Sequence, residues 1–310
     1  MNSLIKVEGK PIEKLIDVVS KAIGTIYEPR RIVRKAKAEA KAESIKAIEQ
    51  AKTNAIIEGD TEKAEYLDRI NNRLVNKETK RQKNIEEVVS TAGRILEAEK
   101  DVSNEPVNPD WTTRFFDIVQ DVSDKEMQTL WGQILAGEIK QPKSYSLRTL
   151  ETLRNMTKEE AEVFQKVAQF VLLQDEAFLF SSDKILVKFG VNYSEIAKLI
   201  EIGLLQPGDF VHRQYVSTNK TDEQYVIIYG DLIVLITTKA KTPTISIPIR
   251  LLTTVGKELV KLIDITPNIG YLKEFATIFK RDKANVSYAK ILSIDEEGVI
   301  RYNDTELAEL

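Results

Sequence analysis

Apolar residues recur at helical spacing from the start of the chain. After Pro11, the residues Ile12, Leu15, Ile16, Val19, Ile23 and Ile26 fall on one stripe, with Glu13, Asp17 and Lys21 off its centre. This pattern predicts an amphipathic helix over 11–27. Pro11 suits the first helical position, whose N–H a helix leaves unpaired anyway. Glu28-Pro29 ends the run, because a residue before proline avoids the α region. From Arg30 to Glu58 strong helix formers dominate, and Val33, Ala36, Ala40, Ala47, Ala51 and Ala55 repeat at three- and four-residue steps. Gly59-Asp60 interrupts them. A second charged helix is predicted over 61–100, with Leu67, Ile70, Leu74, Ile85, Val88, Ala92 and Ile95 as its stripe. Two long helices around such a break read as an antiparallel, coiled-coil-like arm, one continuous rod being the alternative.

Residues 101–109 carry linker punctuation, Asn-Glu-Pro-Val-Asn-Pro among them. A compact helical domain is expected over 110–180. Trp111, Phe115, Ile118, Val119 and Val122 share one face, and Met127, Leu130, Trp131, Ile134 and Leu135 form the next, closed by Gly137. Ser123–Glu126 and Thr157–Glu160 fit the capping-box pattern, the second opening a helix that runs through Val171. After 180 the period changes. Tyr193–Ile202 reads as a helix ending at Gly203, while Val211–Val216, Gln224–Tyr229 and Leu232–Thr237 read as strands. Gly230-Asp231 makes a tight hairpin, and Pro248 confines the strand 244–249 to an edge. Helices return over 254–263 and 272–280, with a last strand at 299–302.

The expected architecture is mainly α with a smaller α+β part. It comprises an amphipathic N-terminal helix (1–29), a helical arm (30–103), a compact helical domain (110–180) and a winged-helix-like α+β domain (181–310).

Composition narrows the chemistry. There is no cysteine and one histidine, His212, so thiolate metal sites, cysteine nucleophiles, His pairs and two-His facial triads cannot be assembled within one chain. Phosphate-cradling loops, the dinucleotide fingerprint and the nucleophile elbow are absent from the sequence. Asp295, Glu296 and Glu297 precede Gly298 as a solvated turn would. No catalytic residue, metal or cofactor is expected, and a non-enzymatic role is the leading expectation, with an enzyme left open. A cryptic carboxylate-based hydrolase or nuclease would need a convergent acidic cluster.

The formal net charge is −3, from 45 basic and 48 acidic side chains, which argues against a protein basic throughout. Basic residues do cluster at Arg30, Arg31, Arg34 and Lys35, directly after the amphipathic helix. Ile12, Ile16, Val19 and Ile23 together with these four form the candidate interaction surface. Its partners would be protein, an anionic membrane surface or nucleic-acid phosphates, and the arm would form a homo-oligomer or hold a protein partner. No transmembrane segment or signal peptide is read, so the cytoplasm is the expected compartment. Tyr193, Tyr215, Tyr225 and Tyr229 near Arg213 suit either base stacking or a strand core.

The stretches 110–116 (Asp-Trp-Thr-Thr-Arg-Phe-Phe), 128–138 (Gln-Thr-Leu-Trp-Gly-Gln-Ile-Leu-Ala-Gly-Glu) and 146–150 (Ser-Leu-Arg-Thr-Leu) resemble a bacterial family of domains of unknown function. The order of Trp131–Ala136, Thr157–Ala161, Ile202–Leu205 and Leu252–Leu259 is distantly similar to the abortive-infection alpha proteins of phage defence. That second resemblance implies a role in defence and carries over no catalytic residue. A nucleic-acid-binding regulator built on the winged-helix-like region is the other expectation. Its predicted recognition helix offers one lysine, Lys198, against Glu195 and Glu201.

Overall fold

The computed structural model describes residues 9–23, 36–180, 183–208, 211–217, 221–281, 284–295 and 298–310. The chain divides into two compact units, Met1–Leu150 and Glu151–Leu310.

Unit 1 is helical. It comprises α1 (Lys10–Ile23), α2 (Ala36–Ile57), α3 (Thr61–Leu96), α4 (Pro109–Val119), α5 (Lys125–Lys140) and the start of α6 (Leu147–Asn155). Helix α1 packs on α3, α4 and α5. Its Lys14 ammonium donates to the carbonyls of Ser103, Glu105 and Ile139 at 2.8, 2.8 and 2.9 Å. The last of these lies in the final turn of α5, where a cation also suits the helix dipole. Burial, aided by nearby Lys10, holds the Lys14 pKa below its ordinary value. The linker-like segment is thereby tied down, with Val102 and Val107 buried.

Helices α2 and α3 form an antiparallel hairpin and not a single rod. Gly59 turns the chain at φ +76°, and Asp60 caps α3 by accepting the Lys63 N–H. The capping prediction at 123–126 shifts by one residue. Asp124 caps α5, accepting from Glu126 and Met127, while Ser123 serves a buried amide described below. Gly137 does not end α5. The helix continues to Lys140, and the missing side chain makes room for the Tyr145 ring, 2.8 Å from where a Cβ would sit.

Unit 2 contains α7 (Lys158–Ala168), β1 (Val171–Leu173), β2 (Ala177–Phe180), α8 (Asp183–Lys188), α9 (Tyr193–Glu201), β3 (Val211–Tyr215), β4 (Glu223–Tyr229), β5 (Leu232–Thr238), β6 (Ile245–Leu251), α10 (Thr254–Val260), α11 (Ile269–Arg281), β7 (Ala284–Ile294), β8 (Ile300–Tyr302) and β9 (Ala308–Glu309). Thr157 and Glu160 cap α7 reciprocally, as the sequence predicts. The helix stops at Ala168, however, and the apolar runs 171–173 and 177–180 pair as a hairpin. Short continuous apolar runs suit a buried strand as well as a helix.

All nine strands join one antiparallel sheet in the order β3-β6-β2-β1-β4-β5-β7-β8, with β9 also on β7. The architecture of the described residues is mixed α+β, and the strands expected in a small winged module belong to this larger sheet. Strand β6 is interior, contrary to the edge position expected from Pro248. The described pairs to β2 involve Ile249, Arg250 and Leu251, so beside Pro248 the partner is His212 of β3.

Helix α11 packs against β7 and buries Tyr271, Leu272, Phe275, Ala276 and Phe279 completely. Tyr215 of β3 touches both Tyr225 of β4 and Phe279. Strands that are not neighbours therefore close over one helix. Tyr229 donates to the Gln169 carbonyl and accepts from Asn268 N–H, and burial pushes its pKa up to about 12.

Candidate interaction site on the helical hairpin

The hairpin is held at its root and open towards its turn. At the root, Ile85, Val88, Val89, Ala92 and Leu96 of α3 are buried, and α5 is a principal neighbour of this helix. A Cβ on Gly132 of α5 would lie 2.6 Å from Thr91 Cβ and 3.1 Å from the Val88 carbonyl, so only glycine permits this approach. Asn84 is buried beside it. Its amide donates to the Gln120 carbonyl and to Ser123 Oγ, and its oxygen accepts from Gln128. Arg81 makes a two-pronged pair with Asp121, both contacts at 2.8 Å.

Towards the turn, α3 is tied to α2. Lys52 pairs with Asp68 at 2.8 Å, Asn71 donates to Glu49, and Ala55 and Ala64 are buried. Around these contacts, bulky apolar side chains remain open. Ile57 is 77% exposed, Ile56 and Tyr66 each 57%, and Leu74 and Val75 are also exposed. Sequence periodicity placed Leu74 on the core stripe. In the structure it is exposed.

The predicted interaction residues separate. Ile12 and Val19 are core residues, buried with Leu15 and Val18, while Ile16 and Ile23 are half-buried. The first pair are thus not available as a surface. Arg30, Arg31, Arg34 and Lys35 lie outside the described residues, as does Ile26.

The quoted sequence signatures have packing roles. Trp111 stacks on Phe115 and donates its indole N–H to the Tyr145 carbonyl, and Trp131 meets Phe115 edge-on. Buried Glu138 accepts the backbone N–H groups of Lys143 and Tyr145. The profile of a protein family of unknown function, DUF2806, matches residues 68–276. The chain belongs to that family. The family match begins part-way along α3, so it includes the root of the hairpin and leaves out its turn. No curated protein and no solved structure matches the chain.

The motifs at 202–205 and 252–259 meet in unit 2. Thr253 Oγ1 donates to the Gly203 carbonyl at 2.6 Å and accepts the Gly256 N–H. A Cβ on Gly256 would lie 2.2 Å from the Leu204 carbonyl oxygen. These residues shape the backbone and present no chemistry to solvent. On α9, Lys198 is engaged by Glu159 at 2.6 Å, which holds that carboxyl below its ordinary pKa. Tyr215 and Tyr229 lie in the core, so they cannot act as a stacking platform.

A cleft of about 650 Å³ opens where β1 and β4 share a single pair, Leu173↔Ile228. Its lining mixes apolar side chains with charges, of which Glu176 pairs with Lys257, Asp231 with Lys290 and Asp175 with Arg213, while Lys261 and Asp264 also line it. Among the described residues, no three metal-ligating side chains converge, and no helix is long and apolar enough to cross a membrane.

Proposed function

We propose that this chain is a non-enzymatic contact protein that works through its helical hairpin, by self-assembly or by holding a protein partner. The exposed Ile56, Ile57, Tyr66, Leu74 and Val75 support this reading. Bulky apolar groups concentrated on one projection are a usual mark of association surfaces. A setting in the bacterial cytoplasm and in phage defence of the abortive-infection kind is supported by the motif order described above, and by nothing in the geometry. Recognition of nucleic acid through a winged-helix-like surface has less support, because Lys198 of α9 is already paired.

Point substitutions test the reading better than truncation, since residues 85–96 are core. Light scattering at micromolar concentration should show wild type as an oligomer, or a stable complex with a partner, and Ile57→Asp with Tyr66→Asp as the dissociated chain. Phage plating efficiency should rise in a host carrying the double variant. Dissociated wild type together with unchanged plating by the folded variant would overturn the proposal.

A further inference from the structure

Charge is unevenly placed along α3. Between Arg69 and Lys83 the sequence holds six basic side chains, Arg69, Arg73, Lys77, Lys80, Arg81 and Lys83, against one acid, Glu78. This occurs in a chain whose formal net charge is −3. The structure separates the signs. Glu78 pairs with Arg81, which also holds Asp121, and Asp68 one turn earlier pairs with Lys52 of α2. Arg69 pairs loosely with Glu65 at 3.8 Å. Arg73, Lys77, Lys80 and Lys83 are exposed and have no ion-pair partner among the described residues.

Steps of four, four, three and three residues place Arg69, Arg73, Lys77, Lys80 and Lys83 on one side of the helix. The stripe runs for about 21 Å at 1.5 Å per residue. Exposed Asn72, Asn76 and Thr79 share that side, and amides and hydroxyls are hydrogen-bond partners for phosphate oxygens. The nearby apolar residues Tyr66, Ile70 and Leu74 follow one another at steps of four along the border of the stripe and do not interrupt the run from Arg73 to Lys83. An ordinary solvated helix would intersperse acids at i±4 to neutralise the lysines; here Glu65 and Glu87 stand at the two ends of the stripe, each in an ion pair, and the one acid between Arg69 and Lys83, Glu78, pairs with Arg81.

We propose that this face of α3 binds the phosphate backbone of nucleic acid without reading its sequence. The proposal rests on the reading of the hairpin as the working part of the molecule, and it assigns the partner of one of its faces.

The test uses the full chain and fluorescence anisotropy with a short duplex DNA and a single-stranded RNA of equal length. Wild type should bind at least one of them at low salt. With duplex DNA, log affinity should fall against log salt with a slope of about −3 to −4, as four released counterions require. Arg73→Gln, Lys77→Gln, Lys80→Gln and Lys83→Gln combined should weaken binding roughly tenfold or more and flatten the slope. Replacing the three lysines by arginine should retain binding. Melting curves should be unchanged in both variants, because all four positions are exposed. Undiminished binding by the glutamine variant overturns the proposal, as does absence of wild-type binding at about 50 mM salt. Capture of vesicles rich in anionic lipid, without capture of either nucleic acid, also overturns it. Light scattering on the same glutamine variant separates the two readings. Assembly that survives loss of nucleic-acid binding supports the proposal and leaves the assembly reading standing. A dissociated wild type that still binds nucleic acid through these residues would overturn assembly alone.

Discussion

From Asn84 to Leu96, α3 buries almost every apolar side chain and the Asn84–Gln128 amide pair; between Glu65 and Lys80, its described bonds to other elements go to α2, at Lys52 and Glu49. Both stretches belong to one helix with similar helix-forming residues. They differ in what surrounds them. The root is specified by shape, through Gly132 and Thr91, while the outer stretch is specified by charge and by a narrow contact along α2. Helix propensity alone would make the two look alike. Tertiary packing separates a part that must not change shape from a part whose surface is open to substitution.

This contrast can be broken at three levels. Leu96→Ala at the root should cost about 2–5 kcal/mol, the range for emptying a well-packed leucine site. Chemical denaturation measures it, and a loss far below this range would mean that the root is not core. Gly132→Ala should cost about 1–3 kcal/mol, because the added methyl meets the Thr91 Cβ and the Val88 carbonyl, neither of which is a flexible chain end. Unchanged stability would show that α3 and α5 can separate at no cost. On the outer stretch, Leu74→Ser should move stability by no more than about 0.5 kcal/mol, as for other exposed positions. A larger loss would show that α2 and α3 cover Leu74 after all.

Much of unit 1 was legible from sequence because helical periodicity is a local signal. The stripe through Leu15 and Val19 and the break at Gly59-Asp60 follow from neighbours a few residues apart, as does the reciprocal cap at Thr157 and Glu160 in unit 2. Unit 2 was legible in part. The β4–β5 hairpin announces itself through Gly230-Asp231, but β7 does not. Its buried positions, Ala284, Val286 and Ala289, break strict alternation and include two small residues. Strands β1 and β2 were read as helix or left unassigned, because continuous apolar runs lack a period. The interior place of β6 depends on long-range pairing with β2, which no local pattern encodes. The site was less legible than the fold. Ile12 and Val19 were grouped with surface residues by their position near the chain start, whereas packing buries them. The cationic stripe was present in the sequence at steps of four and three, yet an overall balance of charges conceals it. Which charges are already paired, Asp68 with Lys52 and Glu78 with Arg81, is visible only once the structure is in place.

Helix α3 has mechanical consequences for whatever grips its outer stretch. It contains no proline, and no glycine before Gly93, so it lacks the usual sites for a kink between its first turn and its root. Thr61 and Asn84 are separated by about 35 Å of helix. A sideways pull near Gly59 therefore acts on a long lever arm whose fulcrum is the Thr91–Gly132 contact. A small displacement there corresponds to a larger swing at the turn, and a load at the turn arrives at α5 as torque. Because Gly132 leaves no room for a side chain at that point, a load that passes the Arg81–Asp121 and Asn84–Gln128 contacts meets close packing there.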